Sequence, residues 1–242
     1  MKKNDIKFEI KKISEIANGI FRIVGKVDDN SFTFIPGQFV VVSAIVDGKK
    51  INRAYSVSSV PAVLPEIELT VRRFPNGLMS EYLTSLNKGD CFYFRGPMGD
   101  FNTDRISNRY VCLVAIGCGI APLKSLALDI LFDKQDIKLD LFLGAKYSGD
   151  IPYHQDWLEW QNKKDNFRYF PCLSQSDEKG FFQGRIGKVM QENGYDFKDK
   201  DYFISGSFEM VMQMKEMLEK EAGKSANIFF ENVFPTQLNK KI

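Results

Sequence analysis

The distribution of apolar and polar positions changes character near residue 105. Before it, short runs such as FEIKKIS, IFRIVGKV, QFVVVSAIV, RAYSVSS, EIELTVRR and CFYFRG are rich in β-branched and aromatic residues and are separated by Gly, Pro, Asn and Asp. Runs of that length between turn-forming residues predict strands, and their close succession predicts an antiparallel β-barrel or sandwich. Beyond it, the apolar runs VCLVAI, LDLFLGA, FRYFPCLS, DYFISG and NIFFENVF alternate with helical patterns. That alternation predicts a parallel sheet with crossover helices, an α/β doubly wound domain. In APLKSLALDILFD, Leu123, Leu126, Ala127, Ile130 and Leu131 fall on one helical stripe, and Pro122 stands where a first turn tolerates it. The polar stretch NTDRISNR is the expected boundary, dividing the chain into a β-barrel domain over residues 1–104 and an α/β domain over residues 105–242. No internal repeat or low-complexity segment interrupts either part.

Composition narrows the function classes. The 242 residues, 44% of them apolar, can build substantial cores, and a net charge of only +2 implies no general attraction to nucleic acid or anionic membrane. The opening MKKNDIKFEIKK lacks the apolar run of a secretory signal, and no stretch nears the ~20 apolar residues that span a bilayer, so a cytoplasmic protein without a membrane span is expected. The four cysteines have no metal-binding spacing, so neither an iron–sulfur cluster nor another metal site is expected. The single histidine, His154, leaves little room for His-based metal or nucleophile chemistry and is expected at the surface.

Two glycine turns suggest where a ligand sits. AIGCGIAPLKSL places Gly117 and Gly119 between a strand and a helix start, where backbone N–H groups and the helix dipole can receive phosphate. YFISGSFEMV repeats the arrangement with Ser205, Gly206 and Ser207, the last of which also suits a helix N-cap. Steric need alone accounts for either glycine turn. Two of them at the carboxyl ends of parallel strands imply one crevice, and a dinucleotide is its economical occupant. In the barrel half, alternation puts Arg53 and Tyr55 on one face of a strand and Ser56 on the other, which suits a flavin nucleotide with its flat ring and phosphate. A surface cation beside an aromatic is the simpler alternative. RRFPNGLMSEYL then offers Gly77 at a turn and Ser80 near a helix start, either a second phosphate site or only a cap.

The ordered series Arg53-Ala54-Tyr55-Ser56, Gly77-Leu78-Met79-Ser80, GPMGDF, GCGIAPLKSL, FLGAKYSGDIPY, GRIGKV, the Gly206 turn and FENVF resembles the ferredoxin reductase-like family of flavin and nicotinamide oxidoreductases over nearly the whole chain. The resemblance implies that Arg53, beside Ala54, binds the flavin pyrophosphate, that Tyr55 stacks on or beside the isoalloxazine, and that Ser56 bonds near its N5. It implies a phosphate site completed by Gly77, Leu78, Met79 and Ser80. It also implies a phosphate and nicotinamide loop of Gly117, Cys118, Gly119, Ile120 and Ala121, with Pro122 opening the helix, and Gly206 lining the nicotinamide cleft. Glu231 matches the family's acidic residue near the chain end, and Phe234 a residue that covers a flavin face. A terminal strand with a charge and a packed aromatic accounts for these two equally well. Cys118 stands where many relatives have Thr, and Ser205-Gly206-Ser207 where many have Cys-Gly-Pro. Cys118 either compensates in part for the missing cysteine or is a buried, inert thiol.

By the same resemblance the chain would be an enzyme holding FAD rather than FMN, with NADH or NADPH as co-substrate. Hydride would pass to the flavin, and single electrons to a separate redox partner such as ferredoxin, flavodoxin or an oxygenase component; Ser56, Glu231 and Cys118 are the candidate catalytic residues. Ser174-Gln175, followed by Asp177 and Glu178, favours NADH, while Lys179 and Arg185 keep NADPH open. An electron-transfer subunit of a larger complex and a non-catalytic flavin-binding module are the alternatives.

Overall fold

The computed structural model describes residues 5–232. Strands β1 (Ile6–Ala17), β2 (Ile20–Val27), β3 (Phe39–Val46), β4 (Lys49–Ser56), β5 (Glu66–Arg72) and β6 (Cys91–Met98) form one antiparallel sheet in the order β4-β3-β6-β1-β2-β5. The sheet curls until Val57, just past β4, bridges Leu69 on β5, which brings its two edges together as a barrel. Ile23 of β2, Val40 and Val42 of β3, Ile67, Leu69 and Val71 of β5 and Phe92 and Phe94 of β6 fill its interior. Helix α1 (Leu78–Ser85) closes it with Met79 and Leu83. On β5 the alternate residues Glu68 and Thr70 are buried as well, because the outer face of this strand lies against the second domain.

The second sheet is parallel throughout: β7 (Tyr110–Ile116), β8 (Lys138–Ala145), β9 (Phe167–Leu173), β10 (Phe182–Gln183), β11 (Asp201–Gly206) and β12 (Asn227–Asn232), in the order β10-β9-β8-β7-β11-β12. Helices α2 (Ile120–Asp133) and α3 (His154–Lys163) cover one face, with the α2 stripe and Trp157 buried against it. Helices α4 (Ile186–Glu192) and α5 (Phe208–Glu221) cover the other through Ile186, Val189, Val211, Met214 and Leu218. With both faces covered, the strands are apolar on both sides, which is why they read as continuous runs.

His154 departs from the surface position expected of it. It is half-buried at the start of α3, its ring stacks on Phe181 and its Nδ1 lies 3.0 Å from the Tyr169 hydroxyl. Burial lowers its pKa, which suits a neutral imidazole tying α3 to β9. No helix among the described residues is long and apolar enough to cross a membrane.

Candidate functional site

Strand order reverses between β7 and β11, so their carboxyl ends diverge into a crevice. From β7 a 3-10 turn, Gly117–Gly119, runs directly into α2. Gly117 has φ +52°, which glycine adopts without strain, and a Cβ there would lie 3.3 Å from Arg72 Nη1. At Gly119 a Cβ would fall 2.2 Å from the Ser205 carbonyl oxygen, so only glycine lets this loop touch β11. A Cβ on Gly206 would meet Met210 Cε at 2.4 Å. Ser207 Oγ accepts a 3.3 Å bond from Met210 N and caps α5.

Above these turns opens a cleft of about 700 Å³, lined among others by Gly117, Ser207, Arg72, Lys146 and Arg185. Of the predicted loop only Gly117 faces it. Cys118, Gly119, Ile120, Ala121 and Pro122 are buried behind it, because helix begins at once and turns their side chains into the core. Gly206 is also buried, and its neighbour Ser207 lines the cleft in its place. These residues thus stand behind the turns that present Gly117 and Ser207 to the cleft. Arg72 and Lys146 were missed by sequence reasoning. Lys146 follows the carboxyl end of the parallel strand β8, where a basic residue is a signal for a ligand site, whereas Arg72 closes the antiparallel β5 and nothing local marks it.

The barrel contributes the opposite wall. Tyr55 packs partly against the barrel core, and burial raises the pKa of its phenol; Arg53 pulls it down and the Cys118 thiol pushes it up. Burial raises the Cys118 thiol to about 11, against the pull of Arg72. Arg53 is exposed, makes no ion pair among the described residues, and donates from Nη1 to the Asn52 carbonyl at 2.8 Å. Ala54 is exposed and Ser56 half-buried, paired with Phe39 of β3.

The Gly77 turn is held by its own serine. Ser80 is buried, its hydroxyl donating to Gly77 O at 2.9 Å and accepting from Phe74 N at 3.1 Å. That hydroxyl closes the turn. A Cβ on Gly77 would sit 2.5 Å from Ser80 Oγ, so the glycine serves the same closure. Met79 points into the barrel core while Leu78 is exposed.

Glu231 pairs with Ser205 across β11 and β12, and Glu231 Oε2 and Ser205 Oγ are both buried without a hydrogen-bond partner among the described residues. Burial raises the Glu231 carboxyl to about 7. Unpartnered buried oxygens are costly, and a polar ligand group between them would relieve the cost. Phe234 lies outside the described residues. Among the described residues no cluster of His, Cys, Asp and Glu is placed to hold a metal ion.

Residues 7–103 match the family model of the oxidoreductase FAD-binding domain, and residues 113–216 that of the oxidoreductase NAD-binding domain. The ferredoxin–NADP reductase B of Sorangium cellulosum is 30% identical over 205 residues, which cover 82% of this chain and 84% of that protein. The chain belongs to the ferredoxin reductase-like family. As a member of it, the chain carries an FAD-binding and a NAD-binding domain. The glycine betaine monooxygenase reductase subunit of Chromohalobacter salexigens is 28% identical over 84% of this chain, which spans only 56% of that relative's length. Among solved structures, a ferredoxin NADP+ reductase from Neisseria gonorrhoeae with bound FAD and NADP superposes with a TM-score of 0.84 at 18% identity, over 96% of this chain and 100% of the other. An Amycolatopsis cytochrome P450 reductase superposes with a TM-score of 0.84 at 22% identity, over 95% of this chain and 70% of the other. Both share the fold.

The residues present fit the two nucleotides. Gly117, Ser207, Arg72, Lys146 and Arg185 line one cleft, where a glycine turn, a hydroxyl and three cations suit a dinucleotide's phosphates, and Arg53, exposed and without an ion pair among the described residues, offers the barrel's cation to the other.

Proposed function

We propose that this chain is a flavin-dependent oxidoreductase of the cytoplasm that takes hydride from NAD(P)H and delivers single electrons to a separate acceptor. The cleft lined jointly by Ile20 and Arg72 of the barrel and by Gly117 and Ser207 of the α/β domain carries the reading, since it brings the two half-sites together. FAD supplies the chemistry when bound, accepting a hydride and releasing two single electrons. Residues 1–104 would hold it: the Arg53 guanidinium and the first-turn amides of α1 take its phosphates, Tyr55 packs beside its ring, and Ser56 offers a hydroxyl at its edge. Residues 105–242 would hold the co-substrate. There Gly117 and Ser207 lie at its phosphates with Arg72, and Ser205 and Glu231 take the amide of the nicotinamide. Cys118 and Gly119 fix the loop, and no side-chain acid or base need be central, because orientation is the main contribution.

Relatives named as ferredoxin reductase, monooxygenase reductase subunit and dioxygenase electron transfer component support a ferredoxin, a flavodoxin or an oxygenase component as the acceptor. NADH is the co-substrate favoured by Ser174-Gln175. One observation favours NADPH instead: Ser174, Arg185 and Lys188 line the same cleft, while Lys179 is not among its lining. The test is anaerobic addition of each nucleotide to the yellow, flavin-loaded protein. Bleaching by one or both is expected, and no bleaching by either would overturn the enzymatic reading.

A further inference from the structure

The outer face of β5 is bound to the second domain through a buried polar cluster. Glu68, 3% exposed, takes the Lys124 ammonium at 2.7 Å and the Tyr153 hydroxyl at 2.8 Å on Oε1, and the Arg22 guanidinium on Oε2. Ser58 Oγ donates to the same Oε1 at 3.1 Å, and Thr70 Oγ1 lies 2.6 Å from the Tyr153 hydroxyl. Lys124, 5% exposed, also donates to the Ser58 carbonyl at 3.2 Å and sits over the Tyr153 ring, 4.6 Å from its centroid. Next to it Ser125 Oγ donates to the Ser59 carbonyl at 2.5 Å. Arg22, Ser58, Ser59, Glu68 and Thr70 come from the barrel; Lys124, Ser125 and Tyr153 come from the other domain. Tyr153 reaches the cluster from a left-handed backbone, φ +58°, which a non-glycine residue adopts only at some cost.

A buried ion pair is a weak source of net stability, since desolvation offsets much of its attraction. Its distinguishing property is direction. An apolar interface tolerates sliding, whereas a small slip here would strand a carboxylate without its donors. For Glu68 burial alone raises the pKa, but Lys124, Arg22 and the hydrogen bonds outweigh it and hold the carboxyl below its ordinary value. On Lys124 burial outweighs Glu68 and lowers the pKa. The Glu68 direction describes the cluster better, because three donor side chains besides Lys124 converge on that carboxylate.

The cluster stands close to both half-sites. Lys124 lies on α2 five residues after Gly119, about 7 Å along the helix axis. Glu68 lies four residues before Arg72 on the strand that leads to the Gly77 turn, about 13 Å away. We infer that Glu68, Lys124 and Tyr153 are positioning residues that set the register between the two domains, and with it the approach of bound nucleotide to bound flavin. The inference rests on the oxidoreductase reading. A misplacement of about 1 Å between reactants costs roughly a hundredfold in rate, so the effect belongs to the hydride step and not to binding.

The test uses the full chain loaded with FAD. In Lys124→Met we expect retained flavin and cooperative melting, at least a tenfold slower flavin reduction at saturating nucleotide, and less than a threefold change in KM. Lys124→Arg, which can keep the pair, should recover most of the rate. If Lys124→Met does not fold, Tyr153→Phe removes a single hydroxyl and should slow reduction three- to tenfold. Hydrogen exchange gives a readout apart from turnover: residues 57–70 and 120–127 should exchange faster in the variants. Wild-type reduction rates in the folded variants, or a fall in melting temperature with unchanged rate and exchange, would overturn the inference. If wild type is not bleached by either nucleotide, the oxidoreductase reading has failed, and exchange alone decides whether the cluster holds the domains in register.

Discussion

Ser205 and Glu231 stand side by side on β11 and β12, and each has a buried oxygen with no hydrogen-bond partner among the described residues. The other buried polar side chains of this sheet, Asp140 and Asp201, are fully hydrogen-bonded, so this pair is the exception.

The pH dependence of stability checks that pair. Burial raises Glu231 from 4.5 to about 7, so across that interval the folded state holds more protons than the unfolded state and unfolding becomes easier as pH rises. Glu231→Gln removes this slope. Relative to wild type the variant should gain about 1–3 kcal/mol between pH 4.5 and pH 8, measured by chemical denaturation at both values.

Arg53 makes no ion pair among the described residues and bonds only to its neighbour's carbonyl. Arg53→Ala should therefore change stability by no more than about 0.5 kcal/mol. Its flavin should be lost, and absorbance at stoichiometric protein reads this directly. Full flavin retention would remove Arg53 from the phosphate site.

Gly119→Ala drives a Cβ to 2.2 Å from the Ser205 carbonyl, a backbone atom that cannot rotate away. The α2 turn must separate from β11, at a cost of about 1–3 kcal/mol. Denaturant melts should show the loss, and KM for the nucleotide should rise with it.

Burial pushes the Cys118 thiol to about 11 and Cys172 to about 12, and raises Cys112 too, whereas Cys91 is only half-buried. A thiol reagent at pH 8 should titrate Cys91 quickly and the other three only after denaturation. Fast modification of Cys118 would show it to be more than a packing residue.

Arg185 lines the cleft near Ser174. If it receives a 2′-phosphate, Arg185→Gln should raise KM for NADPH about tenfold or more and KM for NADH less than threefold. Equal changes for the two nucleotides would return the preference to NADH.

Much of the architecture was legible in the chain. The β-branched and aromatic runs between turn residues, such as IFRIVGKV, and the stripe from Leu123 to Leu131 depend on local composition and geometry, so the strands, α2 and the two sheet types can be read from them. Glycines at positions 117, 119 and 206 were legible as turns for the same reason. Which of their neighbours face a ligand was not, because exposure is set by what packs behind: Ile120 and Ala121 turn into the core, and Ser80 spends its hydroxyl on its own turn.

By itself the sequence determined the barrel, the doubly wound sheet, the place of the Gly turns and, through the order of its motifs, the family. Tertiary structure alone decided how these parts meet. Glu68 and Lys124 are 56 residues apart and read separately as surface charges on a strand and a helix. Only docking of the two domains excludes water from both, and that turns two solvated charges into a directional pair. Likewise Arg72 becomes part of a nucleotide cleft only because a barrel strand ends beside Gly117. Local pattern encodes the elements, whereas burial and long-range approach, which no local pattern records, determine what their polar groups can do.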